Sequence, residues 1–114
     1  MSKRDPLAAL EDMREAIVTI EHYVQGYSFE EYMKDRKTQD AVVRNFEILG
    51  EAASFVPEKI RSTIPDIPWK RVIGLRNIVI HHYFGIDHAT IWFIIKEQLP
   101  TLRTQVIHLI STRS

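Results

Sequence analysis

The sequence contains no cysteine. That excludes disulfides, thiolate metal sites and a cysteine nucleophile, and makes a reducing cytosol the expected compartment. Glycine is scarce, at 4 of 114 residues, and the 5 prolines fall mostly at segment edges. Long helices are favoured over many short strands. Neither sign of charge is in excess, with 15 Lys and Arg against 15 Asp and Glu. A strongly basic chain would advertise a nucleic-acid partner, so here any such role must rest on a local site. The longest apolar run, Ile91-Trp92-Phe93-Ile94-Ile95, is far short of the roughly 20 residues that span a bilayer. No signal-peptide stretch follows Met1-Ser2-Lys3-Arg4-Asp5, and no membrane role is expected. There is no internal repeat, phosphate-binding glycine loop or G-x-S-x-G elbow.

Hydrophobic residues make up 45% of the chain, enough for one ordered domain over residues 1–114 with a modest core. Asp5 and Pro6 predict the start of a first helix, with Leu7, Leu10, Met13, Ile17, Ile20 and Val24 as its apolar stripe and Gly26 as its stop. Ser28-Phe29-Glu30-Glu31 reads as a capping box for a short helix through Met33. Lys34-Asp35-Arg36-Lys37 reads as a solvated connection. A second long helix is expected from Thr38 or Gln39, carrying Val42, Val43, Phe46, Leu49, Ala53 and Val56, and ending at Pro57. One short turn is expected at Glu58 to Ser62, then a proline-bounded linker, Ile64-Pro65-Asp66-Ile67-Pro68. A third helix should run from Trp69 to about Tyr83 and a fourth, capped by Asp87, from His88 towards Thr112. Pro100 should kink or split that last helix. The sum is an all-α, antiparallel four-helix bundle with short extra helices. The run Ile91 to Ile95 is apolar on every face, so either a homodimer interface or the short flanking helices must bury its second side.

The chemistry is concentrated in Arg76-Asn77-Ile78-Val79-Ile80-His81-His82-Tyr83. On an α-helix Asn77 and His81 share a face, and Arg76 and Tyr83 are nearly aligned. Arg76 and His81 stand roughly 140° apart, a gap an arginine side chain can bend across. Histidine moves protons near neutral pH, arginine offers a planar cationic fork for phosphate oxygens, and Asn77 can orient both. These are the parts of metal-free RNA cleavage: a base deprotonates the ribose 2′-OH, that oxygen attacks the adjacent phosphorus, and the arginine stabilises the developing charge. The products would be a 2′,3′-cyclic phosphate and a 5′-OH. Geometry alone favours a solvated arginine and a helix-end histidine that satisfies carbonyls or the dipole.

The same segment resembles the R-x4–6-H signature of HEPN domains. With Tyr83 it becomes R-x4-H-x-Y, similar to the HepT branch of toxin–antitoxin systems. The likeness extends to Phe29-Glu30-Glu31-Tyr32, Asp35 through Val42, Ile48-Leu49-Gly50-Glu51-Ala52-Ala53, Ile67-Pro68-Trp69, Tyr83-Phe84-Gly85-Ile86-Asp87, Trp92 and Leu99-Pro100. The resemblance implies a helical homodimer with the two motif helices facing across a shared cleft. It implies Arg76 and His81 as the catalytic pair, with Asn77 in support and no cofactor for RNA cleavage. It also implies a separate MNT-type nucleotidyltransferase antitoxin that uses ATP and Mg to place AMP on Tyr83, since this chain has no nucleotidyltransferase signature. Phosphate added beside the cleft would repel RNA. The competing reading is a non-catalytic helical dimer that binds or positions substrate for a nucleotidyltransferase.

Other residues have two readings each. His82 either assists RNA binding or is exposed. Lys70 and Arg71 either extend a phosphate groove towards Arg76 or form a solvated helix start. Glu47 and Glu51, one turn apart, either present paired carboxylates, or face solvent or pair with Arg44. Gly50 reads as a site of close helix packing, and Trp69 and Trp92 as core or interface anchors. His22, His88 and His108 lack metal-ligand spacing, so no metal site is expected and structural roles are.

Overall fold

A computed structural model describes residues 5–78 and 87–113. Among the described residues the chain is all-α, with no strand. Helix α1 spans Pro6–Tyr23, and Asp5 caps it by accepting from the Leu7 amide. Gly26, at φ 79, supplies the left-handed residue that turns the chain after it. Helix α2, Phe29–Met33, carries both halves of the expected capping box between Ser28 and Glu31.

Helix α3 runs Arg36–Ser54. It starts earlier than expected, because Asp35 is its N-cap, accepting from the Thr38 amide and hydroxyl. Arg36 and Lys37 are thus the helix's first turn and not a solvated connection. A capping aspartate amid charges is easily misread, since solvation and capping both select polar residues. Helix α4 is the short turn Glu58–Arg61. Arg61 donates back to the Val56 and Ser54 carbonyls, closing the C-terminal end of α3.

Helix α5, Trp69–Gly74, tightens into a 3-10 turn over Leu75–Asn77. The helix expected from Trp69 to about Tyr83 is thus 3-10 over three residues and α-helical again at Ile78; its remainder, residues 79–83, lies outside the described residues. Helix α6, His88–Phe93, is capped by Asp87. It passes through a π-helical segment, Ile94–Gln98, into helix α7, Leu99–Ser111. Pro100 therefore does not split the rod in two. The Leu99 amide reaches the carbonyl of Ile94, five residues back. That wider turn relieves the clash a proline ring makes with the carbonyl four residues behind it.

The core lies where α1 packs on α3 and α7, through Leu10, Met13, Ile17, Ile20, Phe46, Leu49 and Val106, all fully buried. The run Ile91–Ile95 is covered only in part within the chain. Ile91 and Ile95 are buried, and Trp92 packs on Phe29 and Tyr32 of α2. Phe93 points outward, 55% exposed.

Candidate active site

Trp69 anchors the element that carries the motif. Its ring is buried, and its Nε1–H donates to the Arg61 and Ile64 carbonyls at 3.1 and 3.2 Å. Val72 and Ile78 are buried on the same element. Lys70, Arg71, Arg76 and Asn77 are exposed. The sequence thus alternates anchors and cations, so that core contacts hold the backbone while the charged heads stay in water.

Gly50 is the seat of the 3-10 turn. A Cβ built there would clash with the Arg76 amide nitrogen and stand 2.9 Å from both the Leu75 carbonyl carbon and the Val72 carbonyl oxygen. Glycine at this point lets two backbones touch, which is the close packing its place in the sequence suggested. At about three residues per turn, Leu75, Arg76 and Asn77 stand about 120° apart around the axis, against roughly 100° in an α-helix.

Of the two carboxylates on α3, Glu47 pairs with Arg44 at 3.0 Å. Glu51 faces the motif instead, its Oε1 3.8 Å from Arg76 Nη1, with the two side chains 57% and 45% exposed. They do not act as a carboxylate pair. Sequence reasoning weighed Glu51 as half of a carboxylate pair, as solvent-facing or as a partner of Arg44, and missed its place beside Arg76. Its signal was adjacency to Gly50, because the residue after a close-packed glycine lies beside whatever packs on it.

Lys70 and Arg71 line different clefts. Arg71 borders an apolar one of about 360 Å³ between α5 and the C-terminal rod, with Val72, Leu75, Leu99 and Leu102. Lys70 borders one of about 540 Å³ with Arg61, Trp69 and Ile73. His81, His82 and Tyr83 lie outside the described residues. Among the described residues no group of three or more His, Cys, Asp or Glu could hold a metal ion. None of their helices is long and apolar enough to cross a membrane.

Three further polar contacts tie elements together. Tyr32, fully buried, meets His88 Nδ1 at 3.2 Å, and burial pushes its hydroxyl pKa up. Lys96 lies over the Trp92 ring at 5.1 Å. The Tyr27 hydroxyl donates to Asp35 at 2.6 Å; with the Thr38 bonds, this holds the Asp35 carboxyl down to about 2.

A family model described as Ribonuclease HepT-like matches residues 13–109. The chain is 39% identical to a candidate RNase of Methanocaldococcus jannaschii, over 93% of this chain and 97% of that protein. It is 41% identical to a protein of Thermococcus cleftensis named probable ribonuclease HepT, over 89% and 92% respectively. A second M. jannaschii candidate RNase is 41% identical over 88% and 83%. No solved structure matches the chain.

Proposed function

The chain belongs to the HepT-like ribonuclease family, and from that premise we propose that it is a metal-independent endoribonuclease and the toxin of a toxin–antitoxin pair. His81 takes the proton from a ribose 2′-OH. The 2′ oxygen bonds to the adjacent phosphorus, the bond from phosphorus to the 5′ oxygen breaks, and that oxygen takes up a proton from water while His81 gives its own back to solvent. Arg76 stabilises charge on the phosphoryl oxygens, and Asn77 orients the pair. The observation that carries this reading is the seating of Arg76: backbone pressed on Gly50, guanidinium open to a ligand. A homodimer would put two such motifs across one cleft, and the exposed Phe93 is apolar surface available to an interface. Lys70, Arg71 and His82 would add phosphate contacts.

Regulation on this reading falls on Tyr83. A separate nucleotidyltransferase, with ATP and Mg²⁺, joins the tyrosine oxygen to the α-phosphorus of ATP and releases pyrophosphate. The added charge repels RNA. Both events would take place in the cytosol.

The test is RNA cleavage by purified wild type, Arg76→Ala and His81→Ala with EDTA present. Wild type should yield 2′,3′-cyclic phosphate and 5′-OH ends, and both variants should be inactive. If all three behave alike, the ribonuclease proposal is wrong and the non-catalytic partner reading takes its place. For regulation, intact mass after incubation with the partner, ATP and Mg²⁺ should rise by AMP and stay unchanged in Tyr83→Phe.

A further inference from the structure

Glu51 follows Gly50 on α3 and meets the same 3-10 turn. Gly50 fixes where the Arg76 backbone sits, and the Glu51 carboxylate lies 3.8 Å from the arginine's Nη1. Backbone and side chain of one cationic residue are therefore both referenced to consecutive residues of one long helix. Glu47, a turn earlier, is held by Arg44. Glu51 is thus the carboxylate on this face of α3 directed at the motif.

Both partners of the Arg76–Glu51 pair are about half exposed, so water screens the attraction and its contribution to stability is small. Direction is a separate matter. An unrestrained arginine samples many rotamers, whereas a fork that must meet two phosphoryl oxygens gains from being aimed beforehand. At 3.8 Å the contact is longer than a hydrogen bond. It leaves the donors of the fork open to a phosphate while biasing which way the fork points.

We propose that Glu51 is a positioning residue for Arg76, its carboxylate steering the guanidinium towards the phosphate under attack. This rests on the ribonuclease reading above. It makes a prediction opposite to that of simple charge. Removing a negative group beside a polyanion's site should strengthen RNA binding and, if charge were all, raise activity. Loss of aim should instead lower turnover.

The experiment compares steady-state cleavage of a short fluorogenic RNA by wild type, Glu51→Gln, Glu51→Asp and Arg76→Ala, with thermal unfolding of each. Glu51→Gln should lower kcat about tenfold, within the range that misplacing a reacting group produces. Its KM should be unchanged or lower, and its unfolding midpoint that of wild type. Glu51→Asp, which keeps the charge on a shorter arm, should recover part of kcat. A Glu51→Gln enzyme with wild-type kcat, or one whose loss lies in KM alone, overturns the inference while an inactive Arg76→Ala leaves the ribonuclease reading standing. A wild type that does not cleave RNA overturns both.

Discussion

The backbone of Arg76 rests on Gly50, so near that the space for a Cβ on Gly50 is already occupied by the Arg76 amide. The obstructing atoms are all backbone, of Val72, Leu75 and Arg76, and cannot swing aside as a flexible side chain would. Alanine at 50 must push α5 and its 3-10 turn away from α3. Overpacking of this kind costs about 1–3 kcal/mol, against roughly 0.5–1 kcal/mol returned by helix propensity. Gly50→Ala should therefore lower the thermal midpoint and weaken RNA cleavage, because Arg76 moves with its backbone. Gly74, on the same element, has nothing within 4 Å of where its Cβ would be. Gly74→Ala should be stabilising by about 0.5–1 kcal/mol. Circular-dichroism melts of the two variants check the contrast, and equal behaviour would count against the Gly50 seat.

Arg76→Lys keeps the charge and loses the planar fork. If the residue binds phosphoryl oxygens in two directions, lysine should not replace it, and kcat should fall about 10²-fold or more. A lysine enzyme within a few-fold of wild type would mean that Arg76 supplies only a point charge.

Trp69 donates from Nε1 to two carbonyls at the end of α4 and in the following linker. Trp69→Phe retains most of the ring's packing and loses the Nε1 bond, while both carbonyls keep a backbone donor, from Ile64 and Ile67, so it should destabilise by about 1 kcal/mol. Trp69→Ala also leaves a cavity and should cost about 3–5 kcal/mol. Urea unfolding of the three proteins checks the order.

Asp35 sets an acid limb of the stability curve. Its folded pKa is lowered to about 2 by the Tyr27 hydroxyl, then by Thr38. A depressed carboxyl contributes stability that is present in full above its unfolded value near 3.8 and is lost as pH falls through the folded value near 2. Unfolding midpoints should therefore decline across that window, and Tyr27→Phe should flatten the decline. An identical acid limb in Tyr27→Phe would show that the hydroxyl does not hold Asp35 down.

Much of the helical architecture was legible because its signals are local. Asp5, Ser28 with Glu31, and Asp87 are caps whose partners lie two or three residues away, and the apolar stripes of α1 and α3 follow the helical repeat. Asp35 was misread because a polar residue among charges looks the same whether it caps a helix or is merely solvated. Half of the motif was reached: the structure gives Arg76 and Asn77 their setting, while His81, His82 and Tyr83 lie outside the described residues.

The Arg76 to Tyr83 pattern and the wider family-like segments are properties of the chain alone, and they sufficed to indicate an all-α protein of this ribonuclease family. Tertiary structure decided what sequence spacing has no means to express. It seated the Arg76 turn on Gly50, brought Glu51 to Arg76, and passed the C-terminal rod through a π-helical turn ahead of Pro100. The first two come from α3 meeting residues about 25 positions further along the chain, where close approach and facing charges arise only once the helices pack. The π-helical turn is local in the chain. Its outcome still had to be read from the structure, because a proline predicts that a helix must adjust and not how.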